Sequence, residues 1–510
     1  MRTYLGLDNG GTSTKAALYD ETGRELAVAN RDTRVLTPGP DRFERDMEEM
    51  WEANCAVIRE VLRLSGRDPA SVAGVAVCGH GKGLYLWGKD GKPAGHGILS
   101  TDNRAYAYVD RWRRDGTEEK AFARSCQHVM ACQPVALLPW LRDHEPETLA
   151  GARWAFGCKD YVRFRLTGEA RGELTDCSGA GAVNLHTRAY DPALLALFGI
   201  PELGELFPPL CCSDEIAGYV TREAAEACGL AEGTPVLGGM FDIDACALAA
   251  NVLDESNICM IAGTWSINEY LRSSPVTDGR AFMNSLFCLP EYYLIEESSP
   301  TSAGNLEWFV RTLLPEAKEA AERGGESVYS LLDRWVAGTG AEGFVPLFLP
   351  FLMGSNAHPN ARAAFVGLSA DMGREALARS VYEGVVYCHR VHLERLLETK
   401  ETPPDCVRLA GGAARSDIWS QMFADILGLS VERLEARETG TLGCAILAAA
   451  GTGAYGSLRE AARAMSPVGK RFIPDPGAAA HYAGRYALYK KLVDRLDPLW
   501  PDVQGVIEGR

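Results

Sequence analysis

No stretch of this 510-residue chain approaches the roughly 18 uninterrupted apolar residues that would cross a bilayer as a helix, so no membrane-spanning helix is expected. There is also no run of Lys and Arg. The 52 basic residues stand against 68 acidic ones for a net charge of −16, spread along the whole chain. That argues against a nucleic-acid binder, whose phosphate contacts need a clustered basic surface. C-x-x-C pairs are missing too. The 15 cysteines are odd in number and scattered, which fits neither a disulfide framework nor a structural zinc site. Met1 and Arg2 run straight into Tyr4-Leu5-Gly6-Leu7 without the apolar core of a signal peptide. These absences predict a reduced, cytoplasmic chain with neither membrane nor nucleic acid as a partner.

What is present is an ordinary globular composition, 46% hydrophobic and 24% charged, long enough for about two to four domains. Four elements recur in the same order. An apolar strand (Tyr4 to Leu7), a small polar tip (Asp8-Asn9-Gly10-Gly11-Thr12-Ser13) and a second strand (Lys15 to Tyr19) read as a hairpin. Ile258 to Ile261, Ala262-Gly263-Thr264-Trp265-Ser266 and Ile267 to Leu271 repeat it. Asp46 with Glu49 forms a capping box ahead of apolar positions at helical spacing, Met50 to Leu62. A strand then follows (Val72 to Val77) and stops at Cys78-Gly79-His80-Gly81-Lys82-Gly83. In the second half Leu377, Val381, Val385 and Cys388 mark a helix, and Val407 to Ala410 a strand that stops at Gly411-Gly412-Ala413-Ala414. The period is too long for a solenoid, which leaves two related domains with a boundary near Asn251 to Ser256. Leu314 to Glu326 reads as a surface excursion. Beyond Gly453 the chain turns helical, and Tyr482 to Leu496 reads as a packing appendage.

Three places carry chemistry. Glycines and hydroxyls in the tip Asp8 to Lys15 expose backbone N–H groups that suit phosphate oxygens; Lys15 adds charge, and Asp8 could hold a metal through water. A tight hairpin without a ligand is the plain alternative. Gly411 to Ser416 lies between a strand and the helix Asp417 to Leu427, where open α/β sheets bind ligands, though it is equally an ordinary turn. Val236 to Gly239 leads into Met240-Phe241-Asp242-Ile243-Asp244, a strand end followed by a carboxylate, so that Asp242 could act as a general base. The alternative is that Asp242 or Asp244 merely caps the following helix.

Taken in order, these segments resemble the FGGY family of carbohydrate kinases along nearly the whole chain. The motifs are Asp8 to Lys15, Gly79 to Gly83, Thr101-Asp102-Asn103-Arg104, Lys159-Asp160-Tyr161 with Leu166-Thr167-Gly168, Gly239 to Asp242, Gly263-Thr264, Pro346 to Asn356, Tyr382 to Val385, and Gly411 to Ser416. The resemblance implies an α/β fold of two ribonuclease-H-like (actin-like ATPase) domains flanking a cleft. It implies a sugar-binding domain over 1–252, a nucleotide-binding domain over 253–453 and a helical extension over 454–510 packed on the second domain. ATP and Mg²⁺ are the implied cofactors, a small sugar the partner, and a homodimer is left open. By the same resemblance Asp242 is the base that takes the sugar's proton and Asp8 the Mg²⁺ contact. Gly10, Gly11, Thr12, Ser13 and Lys15 form the first phosphate hairpin, Gly263 and Thr264 the second. Gly304 with Asn305, and Gly411, Gly412, Ala413 and Ser416, lie on the nucleotide side. Gly11 departs from the pattern, since many members have Thr there.

The sugar is expected on the loops at His80, Gly81 and Lys82 and at Asp102. Glycerol kinases carry Arg-Glu where this chain has Gly81-Lys82, and D-xylulose kinases Met-His. The sequence around Gly81 to Leu84, Ile98 to Asp102 and Ser299 to Trp308 is similar to the L-xylulose kinase branch. A ketopentose is therefore expected, L-xylulose first, with erythritol, 3-keto-L-gulonate or D-xylulose as alternatives. Lys82 is either a hydroxyl donor or a solvated lysine, and Asp102 either a sugar contact or, with Arg104, an ion pair shaping the loop. A sugar-responsive protein without catalysis is the remaining class, and it would be expected to lack Asp242.

Overall fold

Thr3–Asn9 is buried on both faces, as a near-continuous apolar run at the centre of a sheet requires, and it pairs antiparallel with Ser13–Asp20 and parallel with Val72–Gly79. The computed structural model describes residues 2–340, 342–343, 345–358 and 360–507. Glu25–Asp32 extends this sheet beyond Ser13–Asp20, while Pro235–Leu237 and Ile216–Tyr219 extend it beyond Val72–Gly79, and Met240–Phe241 also pairs with Val72–Gly79. One face is covered by the helix Met47–Ser65. Its N-cap Asp46 accepts from the N–H groups of Glu48 and Glu49, and its apolar stripe (Met50, Ile58, Val61) joins Leu5, Leu7 and Leu18 in one core. Thr439–Gly451, a helix of small residues buried almost throughout, packs against Thr3–Asn9 and Val72–Gly79. A Cβ on Gly6 would lie 1.9 Å from the Thr441 carbonyl oxygen, so only glycine permits this approach of helix to strand. With both faces covered, the lack of polar alternation in these strands is explained.

The second half repeats the plan. Asn257–Ala262 and Ser266–Arg272 form the expected hairpin, and Asn257–Ala262 runs parallel to Cys406–Ala410. Val431–Leu434 follows in parallel and Val468–Phe472 antiparallel. Arg374–Leu397 and Asp417–Leu427 are its principal helices.

The two compact units are not contiguous in sequence. The first comprises Met1–Asp254, Leu271–Ile295 and Glu438–Pro467, the second Glu255–Tyr270, Glu296–Arg437 and Val468–Arg510. The expected division into 1–252, 253–453 and 454–510 follows the order of motifs along the chain, whereas packing groups Thr439–Gly451 with the first unit, where it finds its apolar partner in that unit's sheet. Residues 454–467 stay with that unit, and 468–510 begins with a strand before the helix Pro476–Leu496. The expected excursion at Leu314 to Glu326 instead contains a helix, Pro315–Arg323, anchored by Ala317 and Ala321 one turn apart. Among the described residues no helix is long and apolar enough to cross a membrane.

Candidate active site

In the first unit the tip between Asn9 and Ser13 is shaped from below by a residue that sequence reasoning missed. The guanidinium of Arg45, 1% exposed, donates to the carbonyls of Gly10 (2.8 Å) and Gly11 (2.5 Å). In a trans peptide each N–H points opposite the preceding C=O, so the N–H groups of Gly11 and Thr12 face away from Arg45 and are offered to an anion. A Cβ on Gly11 would meet nothing within 4 Å, so the missing side chain leaves open space. Thr12 is exposed, and Thr14 is tied to Asn9 beneath the tip (3.1 Å). Lys15 stands opposite Asp8 in the ladder and is paired with Glu438 at 2.8 Å, so its charge is partly neutralised before any phosphate arrives.

Asp242 is the first residue of the helix Asp242–Ala249, which has Phe241 at its N-cap and no side-chain cap bond. Neither Asp242 nor Asp244 caps it. Asp242 Oδ1 is buried without a hydrogen-bond partner. Burial, then the charges of Asp8 and Asp176, push its carboxyl well above the ordinary carboxylate range, with Lys82 opposing. The Asp8 carboxyl is raised by burial against the pull of Lys15. The start of the helix Thr439–Gly451 crowds it, since a Cβ on Gly440 would lie 2.6 Å from Asp8 Oδ2. Among the described residues no three His, Cys, Asp or Glu side chains form a ready-made metal cage. Asp8, a buried carboxylate near enough to Asp242 for the two to feel each other's charge, is of the donor class that Mg²⁺ accepts alongside phosphate and water. Asp244 is fully buried with neither oxygen hydrogen-bonded, and burial, then Glu173, push it well above the ordinary range.

Beneath Asp242 lies a buried charge cluster. Lys159 reaches Asp160 at 2.7 Å, Glu173 at 3.2 Å and Asp176 at 3.7 Å. Glu173 accepts from Thr175 Oγ1 (2.8 Å) and Ser213 Oγ (2.7 Å), and Thr175 Oγ1 accepts the N–H of Phe241 at 3.0 Å. A line of hydrogen bonds thus fixes the backbone from which Asp242 projects. Lys159-Asp160 was visible as a motif. Thr175 and Asp176 sit on the six-residue helix Leu174–Gly179, too short to leave a periodic signal.

The loop expected to meet the sugar is more tightly built than its glycines suggested. His80 is held by Tyr85 through Nε2 (2.8 Å) and by the Gly81 carbonyl through Nδ1 (3.3 Å); burial, then Arg45, pull its pKa down to about 3, so it is neutral. Gly81 makes room for Phe241, whose ring would come within 2.4 Å of a Cβ. Lys82 takes a left-handed backbone (φ 62°), is 9% exposed, and lies 5.5 Å from the centre of the Phe241 ring, which is no solvated surface lysine. Asp102 is different. Its carboxylate accepts from the Phe43 N–H (2.8 Å) and from the Arg104 N–H and guanidinium, and its side chain is fully buried. With its lone pairs engaged, Asp102 matches the ion-pair alternative rather than the expected sugar contact.

In the second unit Gly263 and Thr264 form the second tip, Thr264 exposed, and a Cβ on Gly304 would sit 3.9 Å from Thr264. Those two nucleotide-side segments therefore adjoin. The fully buried His389 ties them, Nδ1 meeting Ser266 Oγ and Asn268 Oδ1 (both 3.0 Å) and Nε2 meeting Ser302 Oγ (2.8 Å). Asn305 folds back on Thr301 (2.7 Å) and the Ser302 carbonyl (2.8 Å). Gly411 needs its φ of 87°, and a Cβ there would come 2.7 Å from the Ala262 carbonyl, so this loop abuts the base of the hairpin. Gly412 is exposed, Ala413 is buried, and Ser416 caps the helix Asp417–Leu427 while donating to Asp333 at 2.8 Å. Of the four expected there, Gly412 is the one open to a ligand.

Residues 3–249 match the N-terminal domain of the FGGY family of carbohydrate kinases and residues 258–452 its C-terminal domain. A protein of Escherichia coli K12 named L-xylulose/3-keto-L-gulonate kinase is 38% identical over 97% of each chain. A probable L-xylulose kinase of Pasteurella multocida is 35% identical over 97% of this chain and 99% of its own. The crystal structure of xylulose kinase from Rhodospirillum rubrum superposes with a TM-score of 0.84 at 28% identity, covering 98% of this chain and all of that one.

Proposed function

This chain belongs to the FGGY family of carbohydrate kinases, and from that premise we propose that it phosphorylates a ketopentose, L-xylulose first, with Asp242 as general base. The observation that carries the reading is Asp242 itself: a carboxylate at a strand end, one oxygen unpartnered, its proton affinity raised by burial and two neighbouring acids. A raised pKa brings a carboxylate closer to that of the proton it must take. Asp242 accepts the proton of the attacking hydroxyl while the N–H groups of Gly11 and Thr12 hold a nucleotide phosphate; the second unit's own tip, at Gly263 and Thr264, is of the same phosphate-binding kind. Gly304, Asn305 and the loop Gly411 to Ser416 serve the nucleoside. Mg²⁺ at Asp8 would supply charge neutralisation to the phosphates. Phosphoryl transfer asks for positioning and charge balance more than covalent work, and a fixed base beside an N–H cradle provides both.

Lys82, buried beside Phe241, supports the sugar loop as the specificity element, with His80 and Gly81 holding its shape. The names of the two relatives favour L-xylulose, and the E. coli protein's name adds 3-keto-L-gulonate as the second reading. A panel of ketopentoses, polyols and keto-acids with ATP and Mg²⁺, read by ADP release, tests the proposal. L-xylulose is expected to give the highest kcat/KM. If a polyol or keto-acid exceeds every ketopentose, the substrate assignment fails. The retained Asp242 argues against a silent sugar sensor, and absence of sugar-stimulated ADP release across the panel would reverse that judgement.

A further inference from the structure

We propose that Asp176 is a second carboxylate of the sugar site, accepting a hydrogen bond from a substrate hydroxyl other than the one phosphorylated and thereby selecting its stereochemistry. This rests on the sugar-kinase reading above. Asp176 is 3% exposed, and its Oδ2 has no hydrogen-bond partner. Its nearest cation, Lys159, stays 3.7 Å away while closing to 2.7 Å on Asp160. A buried carboxylate oxygen without a donor carries a desolvation cost that native structures rarely leave uncompensated, and a donor arriving with a ligand removes it.

Asp176 lines a small recess with Lys82, Gly83, Gly157, Asp160 and Tyr190. Gly157 packs directly against the carboxylate, since a Cβ there would lie 2.6 Å from Asp176 Oδ2, so any larger residue at 157 would displace it. Thr175, next to Asp176, accepts the N–H of Phe241, next to Asp242, and Lys82 lies 5.5 Å from the centre of the Phe241 ring, so the three groups converge on one region. Two carboxylates with unpartnered oxygens and one lysine suit a chain of neighbouring hydroxyls: Asp242 meets the reacting one, Asp176 accepts from another, and the Lys82 ammonium donates to an oxygen of the same substrate.

The test compares steady-state kinetics of the wild-type chain, Asp176→Asn and Gly157→Ala with L-xylulose and its C3 epimer L-ribulose. Asp176→Asn keeps the shape, and Gly157→Ala keeps the carboxylate but displaces it. Each is expected to raise the KM for L-xylulose about tenfold or more, the loss of one charged hydrogen bond, with the KM for ATP within about twofold. The preference for L-xylulose over L-ribulose should shrink by a similar factor. Unchanged sugar KM and unchanged preference in both variants would overturn the proposal, as would a parallel rise in the KM for ATP with a lowered melting temperature, which marks a purely structural role. Should the wild-type chain prefer another sugar of the panel, the comparison is made with that sugar and its epimers, so the substrate assignment can fall while Asp176 stands. If no sugar is phosphorylated, both fall.

Discussion

A carboxylate that opens a helix without capping it, as Asp242 does, has given up the commonest reason for an acid to stand there, and its free oxygen is the larger part of the case for catalysis. Asp242→Asn retains size and hydrogen bonding but cannot take a proton; kcat should fall by about 10² to 10⁴ in single-turnover phosphorylation while sugar binding is largely kept. Asp244→Asn should cost far less, since Asp244 is fully buried whereas Asp242 keeps part of its surface open. Asp176 allows a different measurement. Burial raises its pKa from 3.8 to about 7, against the pull of Lys159, so the folded chain holds a proton there that the unfolded chain releases. Between those two values stability falls as pH rises, and below about 3.8 the penalty vanishes. Asp176→Asn should therefore melt at a higher temperature than wild type at pH 8, the difference closing toward pH 4; an equal or lower melting temperature at pH 8 would contradict this. Asp242 was legible because glycines and a strand precede it. Arg45 and Asp176 were not, because nothing in their neighbours' identities reports which carbonyl or cavity they meet.

At the scale of elements, the repeated hairpins, the Asp46 cap and the helix Asp417–Leu427 were readable from periodicity and turn residues, which act over a few neighbours. The Tyr482, Tyr486, Tyr489 and Val493 stripe was there as well, at spacings of four, three and four that mark a helix face. The clamp made by helix Arg374–Leu397 was hidden, because His389 looks like any core residue until its two serines are placed around it. Pulled down to about 3 by burial and then His392, His389 is neutral and can donate from one nitrogen and accept at the other. His389→Ala strands three buried polar groups. It should lower the melting temperature and raise the KM for ATP several-fold while the sugar KM holds, with His389→Gln recovering part of both. A sugar KM that rises as much as that for ATP would show that the clamp does not act on the nucleotide side.

For the whole molecule, the duplicated α/β plan followed from the order of motifs, whereas the interleaving of the two units did not, because a helix of small residues carries no mark of which sheet it will cover. Residues 1–252 expressed alone would leave the strands Thr3–Asn9 and Val72–Gly79 without Thr439–Gly451 on one face. Such a fragment should bind a hydrophobic dye and lack a cooperative melt, and a sharp transition near that of the full chain would refute the role given to this helix. The same connectivity bears on how the chain is made. At about 5–20 residues per second, roughly ten to forty seconds separate the emergence of residue 254 from that of residue 439 on the ribosome. Through that interval the first unit waits with an apolar face open, so its folding depends on a segment made much later than its strands. Any holdase that attends this nascent chain would be released only after Thr439–Gly451 has emerged.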